Sequence, residues 1–194
     1  MPKRQFKFTK GKYYHIYNRG AARASIFYTD ENYRFVLRLM AIVIAASELA
    51  MIAYCLLPNH YHWLVRQDGN VTARRLPKRV FGSYSQAFNH TYNRSGTLFE
   101  GPYNAIVVES NNYLRNLCRY IHCNAVKHEI AAAPELWPYS NYLEWIGARP
   151  GKLIDRTFVK AHFDSADDYR AYVQAYLTDQ ARLPRDLNKR LINL

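Results

Sequence analysis

The strongest constraint on the fold of this chain is a two-residue turn. An apolar run from Leu49 to Leu57 stops at Pro58-Asn59, and a run rich in aromatic and β-branched residues starts at once over residues 60–66. Two residues cannot carry a crossover, so these segments must be antiparallel neighbours in one sheet. Tyr13–Arg19, ending at Gly20, reads as an earlier strand. Between them, Asp30 is the expected N-cap of a helix over 31–47, with Tyr33, Val36, Leu37, Met40 and Ile44 at helical spacing.

After the loop at Asp68-Gly69-Asn70, a helix is expected over 75–93, with Pro77 admissible only near its first turn or as a break. Residues 103–108 read as a fourth strand, and Ser110 caps a helix reaching Lys127. The order strand, helix, strand, strand, helix, strand, helix predicts an α+β fold. The expected form is a ferredoxin-like antiparallel sheet with two helices on one face and an additional helix. Pro134, Pro138 and Pro150 punctuate a connection to a C-terminal helical extension, with helices expected over 167–177 and 186–192. The chain is accordingly divided into residues 1–147 and 148–194.

Residues 39–57 are nearly continuous in apolar side chains and about long enough to span a bilayer. Ser47 and Glu48 in the middle favour the end of a core helix followed by a buried strand. The basic N-terminus leads into no apolar run, and three cysteines without a CxxC pair argue against a disulfide framework. A reducing cytoplasm and no membrane partner are expected.

Lys and Arg number 27 against 15 Asp and Glu, a net charge of +12, and the excess is localised. Residues 1–30 hold seven basic and one acidic side chain, and residues 66–94 hold six and one. The first group includes Lys3, Arg4, Lys10, Lys12 and Arg19; the second includes Arg74, Arg75, Lys78 and Arg79. Such clusters serve as solvated surface or as phosphate contacts. With 17 tyrosines, rings that stack and also hydrogen-bond, the balance points to a nucleic-acid partner.

His60-Tyr61-His62 opens the third strand. Side chains alternate, so the two imidazoles project from one face, about 6.6 Å apart along the strand, with Tyr61 on the other. They can converge on a divalent ion or be two ordinary histidines near a strand end. In the helix after Ser110, Leu114, Leu117, Cys118, Ile121 and Ala125 form an apolar stripe. Tyr113, Asn116, Tyr120, Asn124 and Lys127 form a second, mostly polar stripe about 100° away. Tyr120 and Asn124 share a face. A tyrosine can attack a phosphodiester and an amide oxygen one turn later can complete a metal site; an amphipathic helix packing an edge tyrosine is the simpler alternative.

Four ordered strings carry a resemblance. They are Tyr13 to Gly20, Tyr54 to Val65 (YCLLPNHYHWLV), Gly96 to Gly101 (GTLFEG) and Arg119 to Val126 (RYIHCNAV). Together with Trp137-Pro138-Tyr139-Ser140-Asn141-Tyr142, they resemble the REP-associated tyrosine transposases of the single-tyrosine HUH superfamily. The resemblance implies cleavage and rejoining of single-stranded DNA at repetitive extragenic palindromic hairpins, through a 5′-phosphotyrosine. It implies Tyr120 as nucleophile, His60 and His62 as ligands of Mg²⁺ or Mn²⁺ with Asn124 as the third, and a cytoplasmic, nucleoid-associated protein. Family members commonly carry basic residues where this chain has Pro102 and Asn104, which leaves more DNA holding to the two basic groups. A hairpin-binding protein that no longer cuts is one alternative. An RNA-binding sheet that stacks bases on Tyr14, Tyr17 and Trp63 is another. Monomer and homodimer are both open.

Overall fold

The computed structural model describes residues 6–178 and 182–183. Its strands are β1 (Tyr13–Arg19), β2 (Leu49–Leu57), β3 (His60–Gln67) and β4 (Asn104–Val108). They form one sheet in the order β2-β3-β1-β4, every neighbouring pair antiparallel. The helices are α1 (Asp30–Ala45), α2 (Arg75–Thr91), α3 (Asn111–Lys127), α4 (Tyr142–Trp145), α5 (Arg156–His162) and α6 (Ala166–Leu177). This is the expected ferredoxin-like α+β plan with an additional helix.

Strand alternation sends the two faces of the sheet into two cores. Tyr14, Ile16, Tyr54, Leu56, Tyr61, Trp63 and Val65 pack beneath α1 and α2 with Tyr33, Met40, Val80, Phe81 and Tyr84. On the other face, Cys55, Leu57, Leu64 and Val108 pack with Leu114, Leu117, Cys118 and Ile121 of α3. A bulge in β2 places Ile52 and Ala53 consecutively on the α3 face. The Ile52 carbonyl there accepts bonds from Asn141 Nδ2 at 2.9 Å and Trp145 Nε1 at 3.0 Å. Tyr139–Asn141 lies along the free edge of β2, with Leu56 N donating to Tyr139 O and Tyr54 N to Asn141 Oδ1. That cover shields an apolar edge from pairing with another chain.

Several expectations need adjustment. The cap of α1 is Thr29, in a capping box with Asn32; Asp30 is the first helical residue and bonds Arg34 and Tyr139. The second, mostly polar stripe of α3 is largely covered: Asn124 is buried against His60 of β3 and Asn116 beside Arg119, and α5 and α6 fold back so that Phe158, Phe163, Tyr169 and Val173 join the α3 core. The short helix α5 had no clear signal in the sequence. The helix expected over 186–192 lies outside the described residues. Pro77 does fall in the first turn of α2. The run over 39–57 divides into the end of α1 and β2, and no helix among the described residues is long and apolar enough to cross a membrane.

Much of the aromatic excess is core. Trp63 stacks on Phe81 at 5.0 Å, Tyr61 lies 4.3 Å from Phe81, and Tyr14 is covered by Phe6 and Phe8. Tyr14 and Trp63 are fully buried, and Tyr17 lies on the opposite face beside His15 and His62. The RNA-binding reading, which needs these rings open on one sheet surface, is therefore set aside.

Candidate active site

The turn that shapes the sheet also aims its first histidine. Gly20 N–H donates to the Asn59 carbonyl at 2.8 Å, and Asn59 Nδ2 donates to the Arg23 carbonyl at 3.3 Å. Only glycine fits at position 20, where a Cβ would lie 2.1 Å from the Ala24 carbonyl oxygen. With its Nδ2 so engaged, Asn59 turns Oδ1 to His60 Nδ1 at 2.6 Å. An amide oxygen only accepts, so His60 carries its proton on Nδ1 and bares the lone pair of Nε2. That lone pair faces Asn124 Oδ1 at 3.3 Å.

Two acceptors facing each other repel unless a cation or proton lies between them. Their separation is close to the roughly 3 Å between adjacent ligands of an octahedral ion with bonds of about 2.1 Å. His62, one pleat on, is fully buried with its ring 5.3 Å from that of His60. Its Nε2 has no hydrogen-bond partner, and its Nδ1 lies 3.0 Å from His15 Nε2. Burial lowers the pKa of His60 to about 4, assisted by His128, and burial with the neighbouring histidines holds His62 well below the usual range. Both are therefore neutral at pH 7, the form that ligates a metal. Two imidazoles and an amide oxygen make a mixed nitrogen and oxygen donor set that fits a divalent ion, the amide oxygen suiting Mg²⁺ or Mn²⁺ and the imidazoles suiting transition ions. Among the described residues no group of three His, Cys, Asp or Glu is placed to hold a metal, so the amide is essential to that fit.

Tyr120, half-buried on α3, meets the His62 ring edge-on at 5.4 Å. Burial pushes its pKa above the ordinary value; a hydrogen bond with Asn124 opposes this, and Tyr176, Cys55 and Tyr17 add to the rise. His60, His62, Tyr120 and Asn124 of a single chain thus meet in one place, at the β3 end where Arg19 pairs with His60.

The helix bearing Tyr120 is braced from behind. Tyr169 OH lies 2.5 Å from His122 Nδ1, and His122 Nε2 lies 2.9 Å from Asn141 Oδ1. This network joins α3 to α6 and the β2 edge. Burial lowers the His122 pKa to about 4 and that of His15 to about 3. In the unfolded chain both titrate near 6.5, so below that pH the unfolded state binds more protons and acid favours unfolding. For His122 alone, a shift from 6.5 to about 4 amounts to roughly 3 kcal/mol lost over that interval. Urea midpoints measured from pH 7.5 to 4.5 should fall steeply, and less steeply in His122→Gln; equal slopes would contradict the account.

The basic groups are placed otherwise. Lys3 and Arg4 lie outside the described residues. Arg19 is held by Glu100 through Nε at 3.0 Å and Nη2 at 3.2 Å, so its charge is partly spent. Lys10, Lys12, Arg74, Arg75, Lys78 and Arg79 are exposed. Gln67 ties the two groups together: its backbone pairs with Gly11 N and Lys12 O, and its side-chain Oε1 accepts from Ala73 N. Gln67 ends β3, seven residues from His60 or roughly 23 Å at the usual rise per residue. Lys10, Lys12 and the Arg74–Arg79 group therefore gather at the end of the sheet opposite Tyr120, and Arg19 lies at the Tyr120 end. Sequence reasoning missed His15, Asn59 and His122. Strand parity, which puts His15 and Tyr17 on one face of β1, was the available signal for the first.

Comparisons with known proteins agree with this architecture. The fold is shared with a REP-associated tyrosine transposase bound to a REP hairpin, at TM-score 0.60 and 18% identity over 80% of this chain and 94% of that one. That likeness shows the class of fold, a four-stranded antiparallel sheet flanked by helices. The family model described as "Transposase IS200 like" matches residues 9–124, more than half of the chain, and the chain belongs to that family. A Deinococcus radiodurans protein provisionally assigned as a transposase aligns at 15% identity and TM-score 0.43, over 62% of this chain and 95% of its own. No relative was found among curated protein sequences.

Proposed function

We propose that this transposase is a metal-dependent, structure-specific endonuclease and strand transferase for single-stranded DNA at REP-type hairpins, with Tyr120 as nucleophile. The observation that carries the reading is the facing pair of acceptors, His60 Nε2 and Asn124 Oδ1, beside the unpartnered His62 Nε2 and Tyr120. The Tyr120 oxygen attacks phosphorus, the bond from phosphorus to the 3′-oxygen breaks, and the phenolic proton is balanced by the proton gained at that oxygen. The products are a 5′-phosphotyrosine and a 3′-hydroxyl, so the step reverses on another strand without a nucleotide cofactor. When bound by His60, His62 and Asn124, Mg²⁺ or Mn²⁺ supplies positive charge that offsets the transition-state charge and favours the phenolate. The α3 brace holds Tyr120 in line.

The test uses labelled single-stranded hairpin DNA with Mn²⁺. A denaturant-resistant protein–DNA adduct that disappears with EDTA is expected; tight binding without adduct would leave only the non-cutting hairpin binder.

In this reading residues 1–147 form the transposase unit and 148–194 an extension, of which α5 and α6 brace α3. Lys10, Lys12, Arg74, Arg75, Lys78 and Arg79, with Lys3 and Arg4, hold the hairpin stem, and Arg19 lies nearer the cleavage point. Replacing Arg74, Arg75, Lys78 and Arg79 by Gln should weaken binding and flatten its salt dependence by about 0.9 in log–log slope per lost phosphate contact. An unchanged slope would remove this segment from the interface.

A further inference from the structure

His15 is not among the residues read as metal ligands, yet it is fully buried within β1. It lies on the α3 face and its Nε2 sits 3.0 Å from His62 Nδ1. The rings are 5.2 Å apart and inclined by 21°. The two outer nitrogens of the pair, His15 Nδ1 and His62 Nε2, have no hydrogen-bond partner. With both rings neutral, one proton occupies the shared bond, and its owner decides what His62 presents to the site. If His15 donates, His62 must carry its own proton on Nε2, aimed into the site with no acceptor. If His62 donates, Nε2 is a bare lone pair, matching His60, whose Nδ1 proton is taken by Asn59; the proton of His15 then sits on its own Nδ1, also without a partner, so what separates the two arrangements is the cation that a bare Nε2 can bind and a protonated one cannot.

We infer that His15 is a positioning residue which accepts the Nδ1 proton of His62 and thereby fixes the tautomer and ring orientation that aim Nε2 at a divalent cation. The inference rests on the metal reading proposed above. A hydrogen-bonded partner behind a ligating imidazole sets its tautomer, and losing such a partner typically costs 10–100-fold in metal affinity. The partner here is a neutral imidazole, so it orients the ligand without adding negative charge. Asn59 and His15 then play the same part for the two histidines from opposite sides: one from the hairpin turn, one from the neighbouring strand.

The test has two readouts that do not depend on cleavage. In metal-free protein labelled with ¹⁵N-histidine, nitrogen–proton correlation spectra should show His62 with its proton on Nδ1, and His15→Leu should shift it toward Nε2. A wild-type His62 protonated on Nε2 would overturn the inference outright. Calorimetry with Mn²⁺ alone should show His15→Leu binding about 10–100-fold more weakly than wild type. His15→Gln, whose amide oxygen can accept the same proton, should recover most of the loss. Thermal melts verify that each variant folds. His62→Ala separates the two claims. If wild type binds Mn²⁺ and His62→Ala does not, but His15→Leu binds like wild type, the positioning role fails and the metal reading survives. If wild type binds no Mn²⁺, the metal reading fails, and the tautomer spectra alone decide whether His15 sets the proton on His62.

Discussion

Tyr120→Phe should lose DNA cleavage by at least about 10⁴-fold while binding hairpin DNA within about threefold of wild type. The substitution removes one oxygen and keeps the ring, so the edge-on contact with His62 persists. The lost hydrogen bond to Asn124 is worth about 1 kcal/mol, or roughly 2–4 °C in melting temperature for a chain of this size. A nucleophile shows that combination: an intact fold and affinity with no covalent product. Side-by-side melting, binding and adduct assays check it, and residual adduct in the Phe variant would assign the chemistry elsewhere.

His60→Ala and His62→Ala should each abolish cleavage to a similar degree, for a different reason. In these variants the phenol remains and the cation site loses a donor. Mn²⁺ binding should therefore disappear with the histidines and survive in Tyr120→Phe, and EDTA should give wild type the phenotype of the histidine variants. Hairpin binding should change little, because Lys10, Lys12, Arg74, Arg75, Lys78 and Arg79 cluster at the Gln67 end of β3. If Mn²⁺ binding were unchanged in both histidine variants, the donor set would be wrong even with Tyr120 correct.

The parts of this molecule that repeat locally could be read from its residues. Pro58-Asn59 dictates the hairpin, alternation puts His60 and His62 on one face, and the spacing of Tyr120 and Asn124 puts them on one turn of α3. The environment of α3 could not be read this way. Its polar stripe gives no sign of Phe158, Phe163 and Tyr169, which arrive from more than 30 residues beyond the end of the helix, and no local period announces that return. The cap of α1 was misplaced by one residue because Thr29 and Asp30 are both good caps and the choice rests on where Asn32 can reach back. Composition located the charge in the chain, but only the pairing of Gln67 with Gly11, Lys12 and Ala73 brings its two halves together, far from Tyr120. His15 and His122 look like ordinary strand and helix residues; what distinguishes them is a partner 47 residues away in each case.

The central claim is that the covalent bond to DNA forms at Tyr120 and at no other of the 17 tyrosines. Arg119 and Lys127 bracket it, so trypsin releases residues 120–127, with Tyr120 their only tyrosine. Nuclease-trimmed adduct, digested and read by mass spectrometry, should place the 5′-phosphonucleotide on Tyr120 of that peptide. A nucleotide on another tyrosine, or a product without attached protein, would contradict the account.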